Sequence, residues 1–153
     1  MLLYRISKEK YIRDLSGEGA RIYGGRWNRP GVSALYTSQH RSLALLELLV
    51  HFTSKKALKN NYSFISLEVP DNEITEISKD EIPTDLHKTN NRKLWEITEL
   101  YFFDKNTLAL KVPSVLVKNE FNVILNPSHA NYKNINILDT ESAFLDERYA
   151  SLL

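Results

Sequence analysis

The 153-residue chain contains no cysteine, which excludes a disulfide scaffold, a thiolate nucleophile and a thiolate-ligated zinc or iron–sulfur centre. Any chemistry must come from oxygen and nitrogen groups. No apolar run approaches the roughly 20 residues that cross a bilayer, and the first residues, MLLYRISKEKYIRD, become charged too soon for a signal peptide. The expectation is a soluble cytoplasmic protein. No G-x-x-x-x-G-K-[ST], G-x-G-x-x-G or G-x-S-x-G occurs, so a P-loop, a Rossmann fingerprint and a hydrolase elbow have no support. The four histidines (40, 51, 87 and 129) lack the spacing of a metal site with carboxylates, and no metal is expected. Glycine is scarce: all five (Gly17, Gly19, Gly24, Gly25, Gly31) fall within one short segment.

What remains is a composition able to build a core. Hydrophobic residues make up 42%, aromatics 10% and charged residues 25%, which excludes disordered and collagen-like chains. The length fits one domain, 1–153. The formal net charge of +1 conceals an asymmetry, because residues 1–60 carry eleven Lys/Arg against four Asp/Glu and the remainder nine against fifteen. A basic half that also holds the glycines points to an anionic ligand such as a phosphate compound, although scattered surface charge gives the same count. The overall pI near 7.9 lacks the basic excess of a protein that binds nucleic-acid backbone.

Along the chain, Leu2–Ile6 reads as an opening strand, residues 7–16 as a polar or helical connection, and 16–31 as a long shaped loop. Val32–Thr37 alternates as a strand. Ser38 is a candidate N-cap for a helix over Gln39–Phe52, apolar nearly all round and therefore expected to be buried. Tyr62–Val69 alternates as a strand, residues 71–90 are polar with a short Ile74–Ile77 run, and Arg92–Phe103 has the spacing of an amphipathic helix. Leu108–Val117 is β-like but broken by Pro113, Asn122–His129 is a short strand with a turn, and Ile135–Leu138 opens a final strand before a terminal segment. This order predicts one mixed α+β domain with short central β-sheets and a buried helix carrying Glu47.

Glu47 is the sharpest signal, since Leu43–Val50 surrounds it with apolar side chains. A buried, unpartnered carboxylate costs several kcal/mol. It therefore needs cationic or hydroxyl partners, a ligand, or a route to solvent at the helix edge. Arg5 and Arg26 are candidate partners, each interrupting an apolar or glycine-rich segment and each offering a planar fork for carboxylate or phosphate. Tyr36 ends the strand before the Glu47 helix and suits either ring stacking or the core. Ser114 stands where Pro113 must interrupt a ladder, and Asn126-Pro127 with His129 reads as an ordinary turn.

Four blocks together, Leu15–Ser38 with its G-G-R-W-N core, Ala44-Leu-Leu-Glu47, Val112-Pro-Ser114 and Asn126-Pro-Ser-His129, resemble the RES domain family in order and spacing over nearly the whole chain. The resemblance implies a fold similar to ADP-ribosyltransferase toxins. It also implies membership of a bacterial toxin–antitoxin pair and degradation of NAD+ at the nicotinamide–ribose bond or, alternatively, transfer of ADP-ribose to a protein. A non-catalytic nucleotide-binding module on the same fold is the third reading. By the resemblance Glu47, Arg5 and Ser114 are catalytic, while Arg26, Tyr36 and Asn126 bind the dinucleotide. NAD+ is then a substrate, and no separate cofactor is expected. The expected partner is an antitoxin with a helix-turn-helix, Xre-like domain covering the active site; a homodimer is left open. One departure is Ile6, where the family often carries an aromatic.

Overall fold

The computed structural model describes residues 1–88 and 91–152. Its frame is one mixed seven-stranded sheet. The strands are β1 (Leu2–Lys8), β2 (Leu35–Ser38), β3 (Tyr62–Glu68), β4 (Ile74–Glu76), β5 (Ala109–Pro113), β6 (Phe121–Leu125) and β7 (Asn136–Ala143). They lie in the order β4-β5-β6-β2-β1-β3-β7. Every pairing is antiparallel except β4 with β5. The expected short sheets are thus joined into one, and β5 ends at Pro113, which pairs with Phe121 and is followed by one more cross-strand bond, from the Ser114 amide to the Glu120 carbonyl at 2.9 Å.

Strand alternation sorts the side chains onto two faces. Leu3, Leu35, Ile65, Leu67, Val123 and Leu125 occupy the first face and bury against Ile12 and Leu108. Tyr36, Leu110, Val112 and Ile124 occupy the second, against Trp27, Leu94 and Phe102, while Ile6 and Tyr4 on that same face meet the Glu47 helix. Fully burying a Leu or Ile contributes roughly 1.5–3 kcal/mol, so the fully buried Leu3, Ile65, Ile124 and Leu125 anchor both layers to the central strands.

Three helices complete the second face. Helix α1 (Glu18–Tyr23) lies inside the glycine segment, where the sequence predicts only irregular loop; the left-handed Gly17 and Gly24 (φ 69° and 71°) bracket its ends. Helix α2 (Arg41–Leu49) is shorter and less buried than expected: Leu43, Ala44 and Leu49 are buried, Leu45, Leu46 and Leu48 only half so, and Val50 is exposed. Ser38 does not cap α2; His40 stands at its N-cap without a side-chain bond. Helix α3 (Arg92–Glu99) runs into a π turn, Leu100–Asp104, so that the adjacent Tyr101 and Phe102 both bury. Residues 89 and 90, at the end of the expected polar stretch, lie outside the described residues. No helix among the described residues is long and apolar enough to cross a membrane.

Candidate active site

The glycine segment positions the first wall. Gly24, at φ 71°, turns the chain out of α1, and Gly25 then passes so close to β2 that a Cβ there would stand 2.5 Å from the Tyr36 hydroxyl and 2.9 Å from Asn28 Oδ1. That approach lets the Tyr36 hydroxyl accept from the Trp27 amide at 3.0 Å and donate to Asn28 Oδ1 at 2.7 Å. Asn28, buried, donates in turn to the carbonyls of Ala20 and Val32, both at 2.9 Å. Trp95 of α3 donates its indole N–H to the Gly25 carbonyl at 2.9 Å. The loop is therefore held from three sides.

Arg26 projects from this loop and donates from Nη1 to the carbonyls of Leu86 and Lys88 at 2.8 and 3.1 Å. A guanidinium has five N–H donors. Those on Nε and Nη2 of Arg26 have no partner among the described residues, so this half-buried cation retains a free edge. Tyr36 stands between charges: burial pushes its phenol well above the usual range, the nearby Arg26 partly offsets this, and Glu47 adds to it. The phenol stays protonated at neutral pH and cannot serve as a base.

Glu47 projects from α2 toward β5 and β6. Its Oε1 accepts from Asn122 Nδ2 at 2.6 Å and, at the long limit of 3.5 Å, from the Ser114 hydroxyl. Ser114 Oγ itself accepts from the amides of Leu116 and Val117, at 3.0 and 3.2 Å, in the turn that follows Pro113. With both acceptor positions used, its only hydrogen points to Glu47. Asn122 is oriented by Ser38, whose hydroxyl donates to Asn122 Oδ1 at 2.6 Å. Glu47 Oε2 has no partner among the described residues. The carboxylate is thus fixed through one oxygen and open through the other, which suits a site where positive charge must be stabilised.

Four of the six predicted site residues are linked on the second face: Tyr36 lies within electrostatic reach of both Arg26 and Glu47, and Ser114 is bonded to Glu47. Arg5 does not join them. It alternates with Tyr4 and so lies on the first face, beside Ile65 of β3, where its Nη1 donates to the carbonyls of Tyr11 and Ile12 at 3.2 and 3.0 Å. Burial pulls its pKa down, and nearby Asp14 partly restores it. Asn126 is likewise elsewhere: past the far end of β6, buried, bonded to the Phe102 and Thr107 carbonyls at 3.3 Å and capping Ser128. The β6 side chain at the site is Asn122, four residues earlier.

Asn122, Ser38, Asn28 and Trp95 escape the sequence reading. A signal existed for the first pair: Ser38 and Asn122 are polar residues at the ends of short strands, and they are direct cross-strand partners. Among the described residues no group of three or more His, Asp or Glu side chains is arranged to hold a metal ion.

Comparison with known proteins bears on the family and the fold. The sequence profile of the RES domain matches residues 2–146. A protein named Toxin Res from Photorhabdus laumondii is 36% identical over 151 residues, covering 97% of this chain and 96% of the relative. One named Prs ADP-ribosylating toxin, from a Sphingobium species, is 35% identical over 140 residues, covering 88% and 86%. In fold, the chain is similar to a chain in the crystal structure of the M. tuberculosis MbcT–MbcA toxin–antitoxin complex, with a TM-score of 0.74 at 17% identity over 99% of this chain and 87% of that one. On the profile match and these relatives, the chain belongs to the RES domain family.

Proposed function

We propose that this protein is the toxin of a bacterial toxin–antitoxin pair and that it cleaves NAD+ at the bond between nicotinamide and ribose. The observation that carries the reading is the Glu47 carboxylate, held through Oε1 by Asn122 and Ser114 with Oε2 unpartnered. As the C1′–N bond breaks, its electron pair leaves with neutral nicotinamide and the ribose becomes oxocarbenium-like. A fixed anion beside that carbon is worth more than a mobile one, because no reorganisation is needed as charge develops. The free edge of Arg26 suits the pyrophosphate, and Tyr36 lies within electrostatic reach of both Arg26 and Glu47. The cation is then captured by a nucleophile, which loses its proton. NAD+ is the substrate, and no other cofactor is called for.

A second reading, transfer of ADP-ribose to a protein, is favoured by the 35%-identical relative whose name describes ADP-ribosylation. Both readings share the first bond cleavage and differ in the acceptor. The test is incubation of purified protein with NAD+ while free nicotinamide is measured. Release without any protein acceptor supports glycohydrolase or phosphorylase action, according to whether phosphate accelerates it. Release only with a target protein supports transfer, and none under any condition leaves a binding module. We further propose that the antitoxin partner, with an Xre-like helix-turn-helix domain, covers this site; co-purification of the two and loss of turnover in the complex test that.

A further inference from the structure

The first face of the sheet carries a second constellation, remote from Glu47. Ser63 of β3 and Ser142 of β7 are direct cross-strand partners, and Thr140 lies two residues along on the same face, opposite Ile65. Ser63 is only 3% exposed, yet neither its hydroxyl nor those of Thr140 and Ser142 has a hydrogen-bond partner among the described residues. Thr140 Oγ1 is buried without a partner, and because buried hydroxyls are normally satisfied it calls for an explanation, while Ser63 and the exposed Ser142 bring two further unpartnered hydroxyls to the same face. They line a cavity of about 290 Å³ whose other wall carries Lys10 and Arg13.

Arg5 builds that wall. By holding the carbonyls of Tyr11 and Ile12, it pins the turn Glu9–Tyr11 and the residues just after it over the sheet. Arg13 has no ion-pair partner among the described residues, and Lys10 has none beyond its contact with the Tyr11 ring. Glu9 stands in the same lining, while Glu141 is already paired with Arg41 on the second face. The free charges therefore sum to one positive, facing three hydroxyl donors.

We infer that this cavity, bounded by Arg13, Lys10, Ser63, Thr140 and Ser142, is a binding site for a phosphate group, distinct from the proposed active site. Hydroxyls and a guanidinium all donate, and a tetrahedral oxyanion accepts from several directions at once. A metal cation has no such match, since it would meet one carboxylate and two like charges. The ligand is orthophosphate itself or the phosphate end of a small monoester.

The test is a ¹H–¹⁵N correlation titration of the full chain with orthophosphate and, separately, with glycerol 3-phosphate, using sodium chloride at matched ionic strength as control. Saturable shifts at residues 63, 140, 142 and 13 are expected. Arg13→Ala should weaken binding about tenfold, Ser63→Ala with Ser142→Ala severalfold, and Glu9→Gln should tighten it by removing a repelling charge. Tighter binding of glycerol 3-phosphate identifies a monoester as the source; equal or tighter binding of orthophosphate identifies the free anion. The inference is overturned if the shifts do not saturate, if chloride reproduces them, or if Arg13→Ala and Glu9→Gln leave the affinity unchanged. None of these readouts depends on NAD+ turnover, so this site and the proposed activity stand or fall separately.

Discussion

Asn122 and Glu47, 75 residues apart in sequence, meet with Nδ2 of one 2.6 Å from Oε1 of the other. The bond joins the central sheet to α2, and the Ser38 hydroxyl leaves Asn122 one productive orientation, with its amide hydrogens toward the carboxylate. A hydrogen bond to a charged group contributes roughly 1.5–3 kcal/mol, and on the proposed chemistry that energy orients Glu47 for the ribose cation. Asn122→Ala is expected to lower kcat for nicotinamide release by about 10–100-fold with little change in KM, because the lost interaction orients the anion and does not hold the substrate. Ser38→Ala should act in the same direction and more weakly. Equal losses in KM and kcat would contradict the positioning role.

Glu47→Gln should abolish release while the domain stays folded. The amide keeps the shape but not the charge that an oxocarbenium-like state requires. A Gln variant that turns over NAD+ at the normal rate would remove Glu47 from the mechanism, and thermal unfolding measured alongside shows whether lost activity is lost structure.

Gly25 and Tyr36 should behave as a coupled pair. An alanine Cβ at position 25 would stand 2.5 Å from the Tyr36 hydroxyl, so Gly25→Ala must displace the loop carrying Arg26. Tyr36→Phe removes the nearest of the clashing atoms, with Tyr36 Cζ and Asn28 Oδ1 still at 2.9 Å, but leaves the Trp27 amide and Asn28 Oδ1 without that partner, at about 1–3 kcal/mol. The double variant is therefore expected to be more stable than the sum of the single losses, by more than roughly 0.5 kcal/mol in a denaturation cycle. Strict additivity would show that the loop does not rest on this contact.

Much of this arrangement was legible in the sequence, and the parts that were not share a cause. The strands around Tyr36, Ile65 and Ile124 declare themselves by alternation, and Glu47 by the apolar side chains around it. Arg5 and Asn126 lie apart from Glu47 because sequence blocks specify order along the chain but not which face a side chain takes or which end of a strand it occupies. Had the parity of β1 been followed from Leu3 through Arg5, the arginine would have fallen on the face away from Tyr4, Ile6 and α2. Asn122 gives no signal of its own, because a lone asparagine at a strand start has no local meaning. It acquires one only when β6 pairs with β2 and brings it opposite Ser38, a relation the spacing does not contain. The apolar Leu45, Leu46 and Leu48 predict a buried helix, yet with one face of α2 packed on the sheet these three remain half-exposed.

The two arginines give a direct contrast. Arg26→Ala should impair nicotinamide release with a raised KM and a modest change in stability, since its free edge faces the proposed substrate and Nη1 holds two carbonyls of a surface turn. Arg5→Ala should do the reverse, lowering stability by about 1–3 kcal/mol through the Tyr11 and Ile12 carbonyls it leaves, with turnover per folded molecule preserved. Asn126→Ala is expected to follow Arg5. Activity lost in Arg5→Ala at unchanged melting temperature would return that residue to the catalytic set.

Alkaline pH should act through the phenols of Tyr36 and Tyr132. Burial raises the pKa of both Tyr36 and Tyr132 above the ordinary value of 10.0. In the unfolded chain these groups ionise near pH 10, while in the folded protein they remain protonated beyond it. Between those limits the unfolded state binds fewer protons than the native state, so stability falls as pH rises. Below pH 10 the two groups contribute no pH dependence. Denaturant midpoints are therefore expected to be insensitive to these tyrosines at neutral pH and to drop as pH passes about 10, with the drop reduced in Tyr132→Phe. Difference ultraviolet titration of the wild type against Tyr36→Phe and Tyr132→Phe should show these two phenols ionising only together with unfolding; ionisation of the Tyr36 phenol near pH 10 in the folded protein would show that it is not sealed beneath the Gly25 loop.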